Sequence, residues 1–167
     1  RELPVFIKVK ELLASNGIGE VYSAEINIAQ SKDVSLIAKS EVNWRTNPEI
    51  SGGGYFHDIA PHQIDLMCYY FGEAVNIKKG DTKENKSQSD FVSGEVLFKN
   101  GIRFKGNWDF SASKDNDNCT IYGQNGSISF SFYGDEIILL VNGKEERYQF
   151  SNPKHVQQPM IEKTIGY

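Results

Sequence analysis

Asp58, His62 and Asp65 are the residues best suited to moving a proton, and their offsets of four and three set them on one helix stripe. At about 100° per residue, the three side chains fall within roughly 60°. Around the rest of that wheel lie Ile59, Ala60, Ile64, Leu66, Met67, Cys68, Tyr70 and Phe71, with Gln63 the main interruption. A surface helix normally spreads its polar residues over a broad solvated face. A stripe this narrow is expected to face a cavity or cleft, where buried charges must be paired or hydrogen-bonded. A histidine set between two aspartates is expected to be paired in that way, which suits it to acid–base work.

The run Gly52-Gly53-Gly54 precedes this stripe. Three glycines destabilise a helix interior but fit a helix start, where backbone N–H groups are free and another molecule can come close. Ser51 is the expected N-cap. A bare backbone beside an acid–base cluster suits a ligand that lies flat against the chain. Upstream, Trp44-Arg45-Thr46-Asn47-Pro48 reads as a loop, because Pro48 holds its predecessor extended. Arg45 is either a solvated loop arginine or a clamp on a carboxylate, phosphate or sugar hydroxyl.

The residue types leave three readings open. Asp58, His62 and Asp65, with His57 adjacent, are legitimate metal ligands, but helical metal pairs rely on two histidines four apart, and only His62 lies on the stripe. A structural network, in which two carboxylates satisfy a core histidine, needs no chemistry. Acid–base catalysis would have His62 take a proton from a substrate hydroxyl while Asp58 orients it. That reaction needs an electron acceptor, and the chain has no GxGxxG after a strand and no Walker-type loop.

The elements that position the stripe are legible from periodicity. Leu3–Ser15 places Val5, Phe6, Val9, Leu12 and Leu13 at helical spacing, with Pro4 in the first turn and Asn16-Gly17 as the stop. Glu20–Ile28 alternates as a half-buried strand, and Ser35–Trp44 is more strand-like than helical. Ala74–Lys78 reads as a short strand, followed by a polar loop over Gly80–Ser89. Strands are then expected over Asp90–Phe98, Ile102–Phe110, Cys119–Gly123, Ser127–Phe132, Glu136–Val141 and Lys144–Phe150. Ser113–Asn118 reads as a turn-rich loop between them. Asn-Gly pairs at 100–101, 125–126 and 142–143 mark hairpins, hence an antiparallel meander. A last helix begins near Pro159. The class is α+β: one broad, mainly antiparallel sheet with helices on one face. Trp108, Phe110, Phe130 and Phe132 read as core. A wide sheet with an uncovered apolar face would be a dimerisation surface.

With 167 residues, the chain is expected to form a single domain, 39% hydrophobic and 24% charged. Its net charge of −4 argues against a nucleic-acid or anionic-membrane surface. No apolar run approaches the ~20 residues that span a bilayer. Cys68 and Cys119 share no metal-like spacing and read as small buried hydrophobes in a reducing compartment, so a cytoplasmic location is expected. An opening without Met that enters a helical pattern at once, and an ending just after another begins, read as a piece of a longer protein.

Trp44-Arg45, then Ser51-Gly52-Gly53-Gly54 with Asp58, His62 and Asp65, resembles the GGG-x-x-x-D-x-x-x-H-x-x-D signature of the Gfo/Idh/MocA family. These are the glucose–fructose oxidoreductases, inositol dehydrogenases and rhizopine-catabolism proteins. The opening helix and turn, Gly106-Asn107-Trp108, and the run from Ile121 to Ile128 also resemble that family's second domain. The resemblance implies a two-domain enzyme, with an N-terminal Rossmann domain binding NAD or NADP. It implies that this chain is the C-terminal domain, of dihydrodipicolinate-reductase-like fold, supplying sheet, substrate pocket and oligomer interface. By position, His62 and Asp58 match the catalytic pair, Arg45, Asp65 and Trp44 fall at substrate contacts, and Gly52, Gly53 and Gly54 lie beside the cofactor. No metal is implied. The family's catalytic Lys, in a Glu-Lys-Pro motif, has no counterpart here, and Ala60-Pro61 stands where many members have Gly before the His. The implied reaction is NAD(P)-dependent oxidation of a secondary alcohol of a sugar or polyol by a homo-oligomer, with this fragment inactive alone. The alternative is a non-catalytic module that senses a sugar or nucleotide, or serves assembly. A glycine-rich turn and the Lys in the other half would decide between them. A third reading is an α+β binding module unconnected with nicotinamide.

Overall fold

A computed structural model describes residues 1–31, 50, 52, 54–85 and 88–166. In chain order the elements are α1 (Pro4–Ala14), β1 (Val21–Ser31), α2 (Tyr55–Phe71), β2 (Ala74–Asn85), β3 (Gln88–Phe98), β4 (Arg103–Ala112), β5 (Asn116–Gly123), β6 (Gly126–Phe130), β7 (Glu136–Val141), β8 (Lys144–Gln149) and α3 (Gln158–Ile165). The class is α+β with one large, mainly antiparallel sheet, ordered β2-β3-β4-β1-β5-β6-β7-β8. The chain divides into two compact units, Arg1–Ser23 with Cys119–Tyr167, and Ala24–Asn118. The strand-like stretch Ser35–Trp44 lies outside the described residues.

In the first unit, α1 starts with Pro in its first turn and buries Val5, Phe6, Val9 and Leu12, the positions that its helical spacing puts on one face. Phe6 meets Phe130 and Phe132 at centroid distances of 6.1 and 6.0 Å. Ile128, Phe130, Ile137 and Leu139 complete that core. The β7–β8 hairpin turns through Asn142 (φ +49°) and Gly143 (φ +79°), the mirror-image turn that an Asn-Gly pair favours. The Asn125-Gly126 reading needs correction. Gly123 pairs with Gly126, so the two-residue loop is Gln124-Asn125 and Gly126 already belongs to β6. Gly126 is small for a different reason: a Cβ there would collide with the Leu140 carbonyl.

In the second unit the strands run β2-β3-β4-β1. Strand β4 alternates without a fault: Phe104, Gly106, Trp108 and Phe110 face inward, while Arg103 and Lys105 face water. Its pairing with β3 is unbroken from Leu97↔Arg103 to Phe91↔Asp109. On the outward side, Asn107 Nδ2 donates to Asn27 Oδ1 at 2.9 Å. The expected polar loop Gly80–Ser89 is instead mostly strand, since β2 runs on to Asn85 and pairs with β3 down to Asn85↔Gln88. The pairing shifts register between Lys79 and Thr82, where the Ser93 hydroxyl accepts from the Asp81 N–H at 2.8 Å. An outermost strand exposed on both sides needs no apolar face, so its sequence carries no alternation. Strand β5 likewise begins at Asn116, inside the expected turn-rich loop. Trp108, Phe110 and Phe130 are core, as expected, whereas Phe132 is half-buried.

Candidate functional site

The stripe rides on α2, and the glycines set where that helix starts. Gly54 is its N-cap, with φ +80° and ψ −166°, a conformation that only glycine adopts cheaply. The helix therefore begins after the third glycine, not at Ser51, which lies outside the described residues together with Gly53, Trp44 and Arg45. No side chain caps this end, and the His57 N–H reaches back to the Gly54 carbonyl at 3.2 Å. Asp58 sits in the first turn, where a negative charge complements the partial positive charge of unpaired N–H groups. Gly52 has φ +76°, with open space where a side chain would project. At the far end Gly72 terminates the helix, and Asn100 Nδ2 donates to the Phe71 carbonyl at 3.1 Å.

The helix buries Ile59, Ala60, Leu66, Met67, Tyr70 and Phe71, and among them Gln63, only 2% exposed. Phe71 packs on Phe98 at 5.4 Å, and Tyr55 stacks on Phe110 at 5.6 Å with rings 26° apart. Asp58, His62 and Asp65 do lie on one stripe, but Asp58 is half-buried and His62 and Asp65 are exposed. The expected cleft is thus not formed by the described residues. The helix meets its need for burial through the opposite side, and the polar residue turned inward is Gln63. Nor does His62 make a side-chain hydrogen bond or ion pair among the described residues, so the expected pairing with Asp58 is not found there. His62 is exposed, so water solvates its imidazole and the drive to pair is small.

Gln63 is the residue that the sequence reading passed over. Its Oε1 accepts from the Trp108 indole N–H at 2.6 Å, in a fully buried setting. Its Nε2 has no hydrogen-bond partner among the described residues. The signal was present: Gln63 follows Ile59 by four and precedes Leu66 by three, so a polar side chain stood on the apolar face. Beside this pair lies an apolar cavity of about 230 Å³, lined by Phe56, Ile64, Val92, Val96, Phe104 and Trp108 with Lys78, Lys79 and Glu95 at its rim. None of the stripe residues lines it. Among the described residues no three His, Cys, Asp or Glu side chains could hold a metal ion. Cys119 is buried and Cys68 half-buried, and neither is in a disulfide. No helix among the described residues is long and apolar enough to cross a membrane.

Comparison with known proteins places this geometry in context. Residues 6–129 match the model of the GFO/IDH/MocA C-terminal domain. The chain is 67% identical over all 167 residues to Oxidoreductase P35 of Formosa agariphila, and spans 52% of that protein's length. An oxidoreductase of Thermotoga maritima has a similar structure, with TM-score 0.76 and 26% identity over 97% of this chain and 48% of its own. A levoglucosan dehydrogenase, solved with NADH and levoglucosan, shares the fold with TM-score 0.68 at 22% identity, over 90% of this chain and 45% of its own.

Proposed function

The chain belongs to the family of GFO/IDH/MocA C-terminal domains, and from that premise we propose that it is the substrate and oligomerisation domain of an NAD(P)-dependent oxidoreductase. Its parent protein oxidises a secondary alcohol of a sugar, polyol or related compound, or reduces the corresponding ketone. The observation that carries this reading is the Asp58–His62–Asp65 stripe, displayed on the open side of a glycine-led helix. The fold neighbour that holds NADH and levoglucosan supports a nicotinamide partner and a sugar-like substrate. The open space beside Gly52, the positive φ of Gly54 and the exposed stripe suit a flat ring brought up by another domain. NAD or NADP, held mainly by that other half of the protein, would supply the hydride acceptor.

In this reading a ring nitrogen of His62 takes the hydroxyl proton in oxidation and returns it in reduction. Asp58, one turn earlier, orients the imidazole and stabilises the positive charge it acquires. Asp65 is a pocket residue, joined by Arg45 and Trp44. The backbone of Gly52, Gly53 and Gly54 lets the cofactor lie close. The whole chain acts as one domain in a cytoplasmic homo-oligomer. Support for assembly comes from the family membership alone, since the side of β4 away from Trp108 carries Arg103, Lys105 and Asn107 and is not an apolar face. Sedimentation of the full-length protein is expected to show an oligomer, and a monodisperse monomer would remove that part.

The test is a panel of sugars and polyols offered with NAD and NADP to the full-length protein. Turnover is expected there and absent from the 167-residue chain alone, which lacks the dinucleotide motif. His62→Ala should lower kcat by ~10²-fold or more. Unchanged kcat would remove His62 from the role, and no turnover on any panel member would favour the sensing or assembly reading.

A further inference from the structure

Helix α2 carries Pro61 in its interior, between Asp58 and His62. Proline has no N–H, so the bond that residue 61 would donate to the His57 carbonyl is missing, and the ring crowds that carbonyl. The turn that spaces the two stripe residues therefore lacks a backbone bond that an uninterrupted helix would have there. His62 has no side-chain partner among the described residues to compensate. Among the described residues, its position follows from the backbone of the second half of the helix.

Trp108 touches both halves. Before the proline, its ring meets Phe56 edge-on at 5.3 Å with planes 80° apart. After the proline, its indole N–H bonds Gln63 Oε1 at 2.6 Å. Indole donates only, so the bond also fixes which way the Gln63 amide points. Both residues are buried, at 3% and 2% exposure, where water does not compete and a hydrogen bond is stronger. Trp108 is itself pinned. A Cβ on Gly106 would collide with Cη2 and Cζ3 of the indole, so the ring lies back over a residue that can only be glycine in this arrangement. The strand beneath is paired without a register shift, Val92 opposite Trp108 and Gly94 opposite Gly106. The buried amide also keeps one donor unpaired among the described residues, a cost that an apolar side chain would avoid.

We propose that Gln63 and Trp108 are positioning residues that brace α2 across Pro61, holding Asp58 and His62 in a single geometry, with Gly106 providing the seat for the indole. The proposal rests on Asp58 and His62 being the acid–base pair, but the brace itself can be tested without that reading. Gln63→Met keeps length and burial while removing the bond, and Trp108→Phe keeps a ring while removing the N–H. Each is made in the full-length protein, alone and with Pro61→Ala, which restores the missing donor. Amide hydrogen exchange over residues 57–66 needs no substrate. Gln63→Met and Trp108→Phe should each speed exchange there about tenfold, and Pro61→Ala should reverse most of it. On the best substrate of the panel, kcat should fall roughly 10- to 100-fold with KM little changed, and recover in the Pro61→Ala background.

Unchanged exchange in both single variants would overturn the brace. Faster exchange with unchanged kcat would overturn the positioning role, as would a kcat loss that Pro61→Ala fails to recover. Failure of the acid–base reading shows up separately, as full turnover in His62→Ala, and leaves the exchange result to decide the brace.

Discussion

Helices α1 and α2 each cover strands of their own unit, and they do so with different equipment. Helix α1 makes its contact mainly by apolar surface, with Val5, Phe6, Val9 and Leu12 buried and Lys8 at the margin, beside the Tyr148 ring and bonded to Glu11 at 3.4 Å. Helix α2 adds a glycine N-cap at positive φ, an interior proline, a buried amide and an acid–histidine stripe whose His62 and Asp65 are exposed. Covering a sheet requires none of these, as α1 demonstrates. The interior proline and the buried amide's donor, unpaired among the described residues, lower helix stability, and neither is found on α1.

Substitutions can sharpen that contrast or break it. The largest effect on stability is expected from Phe6→Ala, which removes the ring packed on Phe130 and Phe132 and should cost about 3–5 kcal/mol in chemical denaturation. Activity per folded molecule should survive, and a selective loss of kcat would show that α1 is not purely structural. His62→Ala should do the reverse: kcat falls by ~10²-fold or more, while stability stays within about 0.5 kcal/mol because the side chain is exposed. A melting temperature that collapsed with activity would erase the distinction between the helices. The smallest effect belongs to Lys8→Ala. Its ammonium lies 5.1 Å from the Tyr148 ring centroid and pairs at the surface, so the loss should be about 1 kcal/mol or less, with kcat unmoved.

Legibility of the fold tracked how far each element depends on its own periodicity. Strand β4 was readable because one side is dry and the other wet, so Phe104, Trp108 and Phe110 alternate with Arg103, Lys105 and Asn107. Strand β7 was readable to the residue, Glu136–Val141, since Asn142-Gly143 ends it with a turn that only such residues favour. The Gly80–Ser89 segment was read as a loop because its strand has no dry side to imprint a pattern. Gly126 was placed at a turn for its local neighbours, whereas its reason is the Leu140 carbonyl on another strand. At the site, the sequence identified the stripe shared by Asp58, His62 and Asp65 and a helix start near the glycines, but put the cap at Ser51 instead of Gly54, set the stripe in a cleft and treated Gln63 as an interruption.

By itself, then, the sequence determined most of the elements with a dry side, the α+β class and the residues that share a helix face, all of which follow from steric and hydrophobic periods acting over a few residues. The tertiary structure alone decided that the stripe faces outward among the described residues, that Gln63 is the polar group turned inward, and that Trp108 meets the helix on both sides of Pro61. Gln63 and Trp108 are 45 residues apart in the chain. No local period carries that information, because a hydrogen bond at 2.6 Å depends on where two separately formed elements come to rest against each other.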